Sequence, residues 1–367
     1  MSKEHFKELN KIIEKAIAEG AYPGATYAVV INDKVYIDSL GLKAKYPMPE
    51  ENVKNTIYDL ASLSKVISTT TCIMQLLEKG EFRLNTQVSS ILPRFKHQDI
   101  TIFDLMTHTS GMKEGISAPT TLKSKEEALD KMYSYDLVYP VHTKISYSDL
   151  NYILLGEIVE AVTKMPLNEY AKKYVFAPLE MHDTGYCPKE YSEVARIAPT
   201  EERNDDAYRG MVRGDVHDEV SYIMGGVAGH AGVFSTALDL SHFIKMILNE
   251  GEYNGKRILS KATVNTLFQV QVEEKLGVLR INERRGLGWI IRGRASSAGD
   301  LTSLDDTILH TGFTGTNIWI DRKNKVGFCL LTNRVHPKRG NGLHIEYRPR
   351  IANYIMAHLE ELEKEIN

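Results

Sequence analysis

Cysteine is almost missing from this chain: three residues in 367, Cys72, Cys187 and Cys329, odd in number and far apart. That excludes a disulfide framework or a thiolate metal site, and it suits buried thiols in a reducing compartment. No apolar run approaches the roughly 18 residues of a membrane span. The first twenty residues, MSKEHFKELNKIIEKAIAEG, carry several acids and lack the continuous apolar core of a signal peptide, so a cytoplasmic location is expected. Surplus charge is missing too. The 45 basic and 48 acidic residues leave a net −3, which gives no footprint for nucleic acid. No internal repeat or low-complexity linker is present. What remains, 43% hydrophobic and 25% charged, is an ordinary globular composition, long enough for one large domain or two smaller ones.

Hydrophobic periodicity places the elements. Residues 4–19 read as an amphipathic helix. GATYAVVIND and KVYIDSLG read as two strands joined at Asn32-Asp33. From about 80 to 275 the pattern is mainly helical: SDLNYILLGEIVEAVTK with Ser148 as cap, a helix opened by Pro166, and ALDLSHFIKMILNEG. Strands return after 285 in GLGWII, TILHT, TNIWID and KVGFCLLTN, and residues 344–364 form a last helix. Strands at both ends imply an α/β domain built from 1–79 and 276–367, with 80–275 inserted as a mainly helical domain. The boundary between them is a natural cleft for a site.

The stretch YDLASLSKVISTTT, residues 58–71, contains Ser62-Leu63-Ser64-Lys65. The pattern S-x-x-K arises by chance about once or twice in a chain of this length. It also occurs at Ser110/Lys113, inside the loop-like THTSGMKEG. After Ser62, however, apolar residues recur at helical spacing until Gly80, with Asp59 or Ser62 as N-cap. Positions i and i+3 share a helix face, so Lys65 is expected beside Ser62 in the first turn. A serine hydroxyl needs a base, and a lysine is one only when neutral. Burial and the helix dipole both push its pKa down, and the same helix end supplies N–H groups for an oxyanion.

Three further stretches offer partners. Tyr147 in ISYSDLNY precedes a helix start, with Asp149 two residues on; its ring can pack as a staple, or its hydroxyl can shuttle the proton of a serine. In ILHTGFTGT, His310-Thr311-Gly312 ends a strand, where a glycine lets a substrate backbone approach. The N–H groups of Phe313 and Ser62 are candidates for the oxyanion hole. GGVAGHAGVFST is a tight glycine-rich segment before a helix. S-x-x-K, S-D-N and K-T-G mark the penicillin-recognising enzymes. Here S-L-S-K, Y-S-D and H-T-G occur in that order with similar spacing, together with LMTHTSGM, GHAGVFST and LTNRVHP. Nearly the whole chain resembles the class C β-lactamase type of serine hydrolase, which includes penicillin-binding proteins, DD-peptidases and carboxylesterases.

The resemblance implies an α+β, β-lactamase/transpeptidase-like fold, an antiparallel sheet flanked by the terminal helices. It implies Ser62 as the acylated nucleophile, Lys65 as base or relay, and Tyr147 as the residue exchanging a proton with the leaving group. His310 takes the place of the K-T-G lysine, Phe313 that of the second oxyanion donor, and Arg350 resembles an arginine near a substrate carboxylate. Two departures turn the expectation from β-lactamase towards esterase, amidase or peptidase chemistry. Asp149 stands where the lactamases have an asparagine, and either pairs with Lys65 or meets a cationic group. His310 weakens the fixed positive charge. His217-Asp218-Glu219 and His230 match no metal spacing; His217 and His230 are expected to line the cleft. His108 reads as structural, while His336 reaches the site or caps a strand. The expected substrate is a small molecule or a peptide of cell-wall type, with no metal and no cofactor. DD-peptidase or β-lactamase action is the alternative, and a non-catalytic peptidoglycan-fragment or penicillin sensor is the alternative of another class.

Overall fold

The structure, a computed structural model, describes residues 3–276, 281–293, 296–340 and 342–366. The strand Gly24–Ile31 is buried along its whole length. Side chains alternate between the two faces of a strand. Ala28 and Val30 join one apolar core, Tyr27, Val29 and Ile31 the other. A strand that is apolar on both faces must lie between two layers. Around it runs one antiparallel sheet of nine strands, in the order 272–276, 281–285, 290–291, 307–311, 317–321, 326–332, 24–31, 34–44 and 50–51. The hairpin at Asn32 is as the sequence expects, with Asn32 at φ 55° and Ile31 opposite Lys34.

On one face lie the terminal helices. Glu4–Ala18 buries Phe6, Leu9, Ile13 and Ala16, a helical stripe. It packs against Leu343–Ala357, which is followed by a separate helix, Leu359–Glu365. The single helix expected over 344–364 is therefore broken, at His358. On the other face the helices Thr71–Glu78, Asp149–Thr163 and Ala237–Leu248 share the larger core with the sheet. This is an α+β architecture in three layers. The middle of the chain also holds short strands that the helical reading missed: Val233–Ser235 pairs with Tyr58–Asp59 on one side and Gly185–Tyr186 on the other. Among the described residues no helix is long and apolar enough to cross a membrane. All three cysteines are free; Cys72 and Cys329 are buried, and Cys187 is half-buried.

Candidate active site

The segment expected to be one α-helix from Ser62 has three parts. Ala61–Leu63 is a 3₁₀ turn, Lys65–Thr70 a wider π turn, and only Thr71–Glu78 is α-helical. Ala61 has φ 47°, a strained value for a residue with a Cβ. Asp59 holds the strain in place. Its Oδ1 accepts the Ala61 N–H at 2.8 Å and its Oδ2 accepts the His217 N–H at 2.7 Å. Burial pushes this carboxyl above the usual range. The H-T-G loop is clamped to the same turn, since Thr316 donates to Leu60 O at 3.0 Å and Thr314 to Asp59 O at 2.8 Å. A Cβ on Gly312 would lie 2.5 Å from that Leu60 oxygen. The glycine expected to make room for substrate makes room for the protein's own backbone.

Lys65 is fully buried under Ser62. Its Nζ donates to Ser62 Oγ at 3.1 Å and to the His230 carbonyl at 3.0 Å, and lies 2.6 Å from Asp149 Oδ1. Burial alone pulls the ammonium down, as the sequence suggests. Asp149 and Tyr147 outweigh it, so the pKa is raised instead. The resting site therefore holds an ammonium, not an amine. Tyr147 Oη donates to Ser62 Oγ at 2.9 Å, and burial keeps this phenol protonated too.

His108 sets the tyrosine. It ends the helix Ile102–Thr107 in a left-handed conformation. Its carbonyl accepts the Ser146 N–H at 2.9 Å and its Nδ1 the Ser148 N–H at 3.1 Å, so both neighbours of Tyr147 are pinned to one residue. Burial, with Arg285 and Lys65, holds this imidazole neutral. Ser148 makes no side-chain cap and donates to Lys113 O at 2.5 Å instead. The second S-x-x-K match does not pair: Ser110 donates to Asn151 Oδ1 at 2.6 Å, and Lys113 bonds Ser117.

The glycine-rich segment wraps the π turn. Thr69 donates to Gly229 O at 2.7 Å, next to the His230 carbonyl that seats Lys65. Gly229 has no room for a side chain, because a Cβ would meet Tyr152 O at 1.9 Å. Gly229→Ala is expected to cost about 1–3 kcal/mol or more, since a backbone carbonyl cannot rotate aside. Thermal unfolding together with ester turnover checks this; a variant of wild-type stability and rate contradicts it.

His217 and His230 reach the site by different routes. His217 Nε2 lies 2.9 Å from Glu201 Oε2, and its ring stacks on Phe313 at 5.7 Å. His230 is buried with Nε2 2.7 Å from Asp218 Oδ1. Asp149, Asp218 and His230 bring ligand atoms within 4.8 Å of one another, a grouping that sequence spacing does not reveal. Ser62, Tyr147, Asp149, His217, Asp218 and Phe313 line one cavity of about 250 Å³, with Arg339 among its other lining residues.

His310 is buried 6.4 Å from the Tyr147 ring, and its pKa is lowered to about 3 by burial, Lys65 and Arg285. It is a neutral imidazole, not a weak cation. Thr311 is half-buried beside it, and its carbonyl lies 3.0 Å from His310 Nδ1. Arg350 does not join the site. It is exposed, paired with Glu346 at 3.5 Å and stacked on Tyr347. Arg348, two residues earlier, is buried and donates to Thr316 O at 2.8 Å and to Gly312 O at 3.5 Å. His336 also stays outside: its Nε2 accepts the Lys45 and Tyr46 N–H groups, which makes it a backbone cap.

The family model described as Beta-lactamase matches residues 9–350. The chain is 29% identical to the N-acetylmuramyl-L-alanine amidase of Bacillus subtilis (strain 168), over 91% of this chain and 82% of that protein. It is 30% identical to a Salmonella schwarzengrund protein provisionally described as a D-alanyl-D-alanine carboxypeptidase, over 88% and 81%. Among solved structures it superposes on the octameric penicillin-binding protein homologue of Pyrococcus abyssi with TM-score 0.75 and 23% identity, covering 100% of this chain and 79% of that one. EstCE1, a hydrolase with promiscuous acyltransferase activity, gives 0.76 and 20%, covering 96% and 98%. These likenesses identify the three layers as the β-lactamase/transpeptidase-like fold.

Proposed function

Because the chain belongs to the Beta-lactamase family, and is a serine hydrolase of ester or amide substrates, we propose that it works through an acyl-enzyme on Ser62 and cleaves small amides or esters of cell-wall type. One observation carries the reading: Ser62 Oγ is held by both Tyr147 Oη and Lys65 Nζ, and Lys65 is held by Asp149. With the lysine charged, the acceptor for the serine proton is the Asp149 carboxylate. Ser62 passes its proton to Lys65 as Lys65 passes one to Asp149, and Oγ bonds to the substrate carbonyl carbon. The N–H groups of Ser62 and Phe313 face the oxyanion. Tyr147 protonates the leaving group and is refilled from Lys65, which takes its proton back from Asp149, so the acyl-enzyme again holds an ammonium beside a carboxylate.

The activities for which the two relatives are named, amidase and carboxypeptidase, support peptidoglycan fragments as the substrate class. The neutral His310 and the carboxylates of Asp149 and Asp218 disfavour a β-lactam carboxylate, and Arg339 on the cavity wall is already paired with Glu201 and Glu219. The two intact contacts on Ser62, with Asp149 behind Lys65, speak against a non-catalytic sensor. The three free cysteines suit work in the cytoplasm. A panel of short-chain p-nitrophenyl esters, N-acetylmuramyl-L-alanine, D-Ala-D-Ala peptides and nitrocefin tests the reading. Esters and one of the two cell-wall substrates should turn over faster than nitrocefin. Nitrocefin as the best substrate, or no turnover at all, would overturn it.

A further inference from the structure

The acyl-enzyme must be hydrolysed, and the contacts described so far serve acylation. The Asp218–His230 pair lies outside them, yet Asp218 lines the same cavity as Ser62 and Tyr147. Its Oδ1 accepts the Ser221 N–H at 2.8 Å and faces His230 Nε2 at 2.7 Å. Among the described residues both contacts fall on one oxygen, which leaves Oδ2 for a guest in the cavity. His230 is itself immobile, since its ring is buried and its carbonyl holds Lys65.

We propose that Asp218, locked by His230, positions the hydrolytic water for deacylation, with Asp149 as the acceptor of its proton. The proposal rests on Ser62 being the acylated residue. The spacing fits the task. One water donating to two acceptors at ordinary hydrogen-bond lengths spans about 4.5–5 Å between them. A carboxylate oxygen of Asp218 lies no more than 4.8 Å from one of Asp149, which is within the reach of a single bridging water. A water held by both carboxylates keeps its lone pairs for the ester carbon. As its oxygen bonds to that carbon, one proton moves to Asp149. Asp149 returns a proton to Lys65, Lys65 gives one to Ser62 Oγ, and the carbon–Oγ bond breaks. The acid leaves, and Lys65 is again an ammonium beside an ionised Asp149. No other reagent is needed.

Two different guests fit the same cluster by charge, a divalent cation and a substrate ammonium. The Lys65 ammonium already supplies the positive charge beside Asp149, which favours water.

The test is Asp218→Asn in the full chain with p-nitrophenyl acetate. The pre-steady-state burst should stay within about threefold of wild type while steady-state turnover falls about a hundredfold, the size of a lost positioning contact at a reacting atom. Intact mass spectrometry should show acetylated Ser62 accumulating. His230→Gln, which keeps the backbone carbonyl under Lys65, should slow deacylation about tenfold. Fluorophosphonate labelling of Ser62 at an unchanged rate shows that each variant is folded. Burst and turnover falling together, or neither changing, would overturn the proposal. So would an effect confined to KM for L-alanine p-nitroanilide, which marks an ammonium site, or EDTA-sensitive turnover restored by Zn²⁺. Absence of any adduct on Ser62 in the wild type would instead indict the nucleophile assignment.

Discussion

Ser62→Ala will fold and lose turnover by on the order of 10⁴- to 10⁶-fold, the scale of removing a nucleophile whose partners act only through it. The side chain is half-buried and small. Its loss leaves Tyr147 Oη and Lys65 Nζ each short of one acceptor, which costs about 1–2 kcal/mol. Lys65 keeps Asp149 and the His230 carbonyl, so the site does not collapse. A fluorophosphonate probe should modify one peptide of the wild type, the one containing Ser62, and nothing in the variant. An adduct on Ser110 would contradict the assignment, since that hydroxyl is committed to Asn151. Residual turnover above the background reaction would do the same.

Asp149→Asn should depress ester and lactam hydrolysis together, by about 10²- to 10³-fold, because it removes the acceptor of the proton relay. An amide cannot take the lysine proton. Stability should fall by about 1–3 kcal/mol, less than for a wholly buried pair because Asp149 is one-third exposed. The pH profile carries the sharper signature. In the wild type Lys65 and Tyr147 are both raised, so neither titrates between about pH 7 and 9 and the rate should be level there. The pair's stabilising effect is present below the ordinary lysine pKa and is lost only as pH rises through the raised one. Without the carboxylate, burial of Lys65 is opposed by Tyr147 alone and its pKa falls. The variant should then regain rate towards alkaline pH, as a neutral lysine becomes available to serve as base. Measuring kcat/KM for an ester and for nitrocefin across pH separates the cases. A variant that gains on nitrocefin relative to the ester would make Asp149 a specificity residue rather than part of the relay.

Much of this was legible in the chain. Ser62, Lys65, Tyr147 and His310 stand in a recognisable order, and the strand Gly24–Ile31 announces its double burial by being apolar at every position but Thr26. The rest depends on relations that spacing does not encode. The π turn Lys65–Thr70 keeps a helix-like apolar pattern, so periodicity reads it as an α-helix. The sign of the Lys65 shift turns on a carboxylate 84 positions away, at a distance of 2.6 Å. Arg350 and Arg348 both lie in RPR, but two positions on a helix are roughly 200° apart, so one faces water and the other the sheet. The sequence GDVHDE offers charged residues without saying that Asp218 turns towards Ser62 while His217 stacks on Phe313.

The grip of Arg348 on the carbonyls of Gly312 and Thr316 reaches the H-T-G loop from behind the sheet. That loop carries Phe313 into the cavity, so the aperture facing the substrate is trimmed by a rear-mounted screw on the helix Leu343–Ala357. Substitutions on that helix can retune turnover without altering any residue of the pocket wall. A search for altered activity confined to the cavity would overlook the adjustment that the fold itself provides.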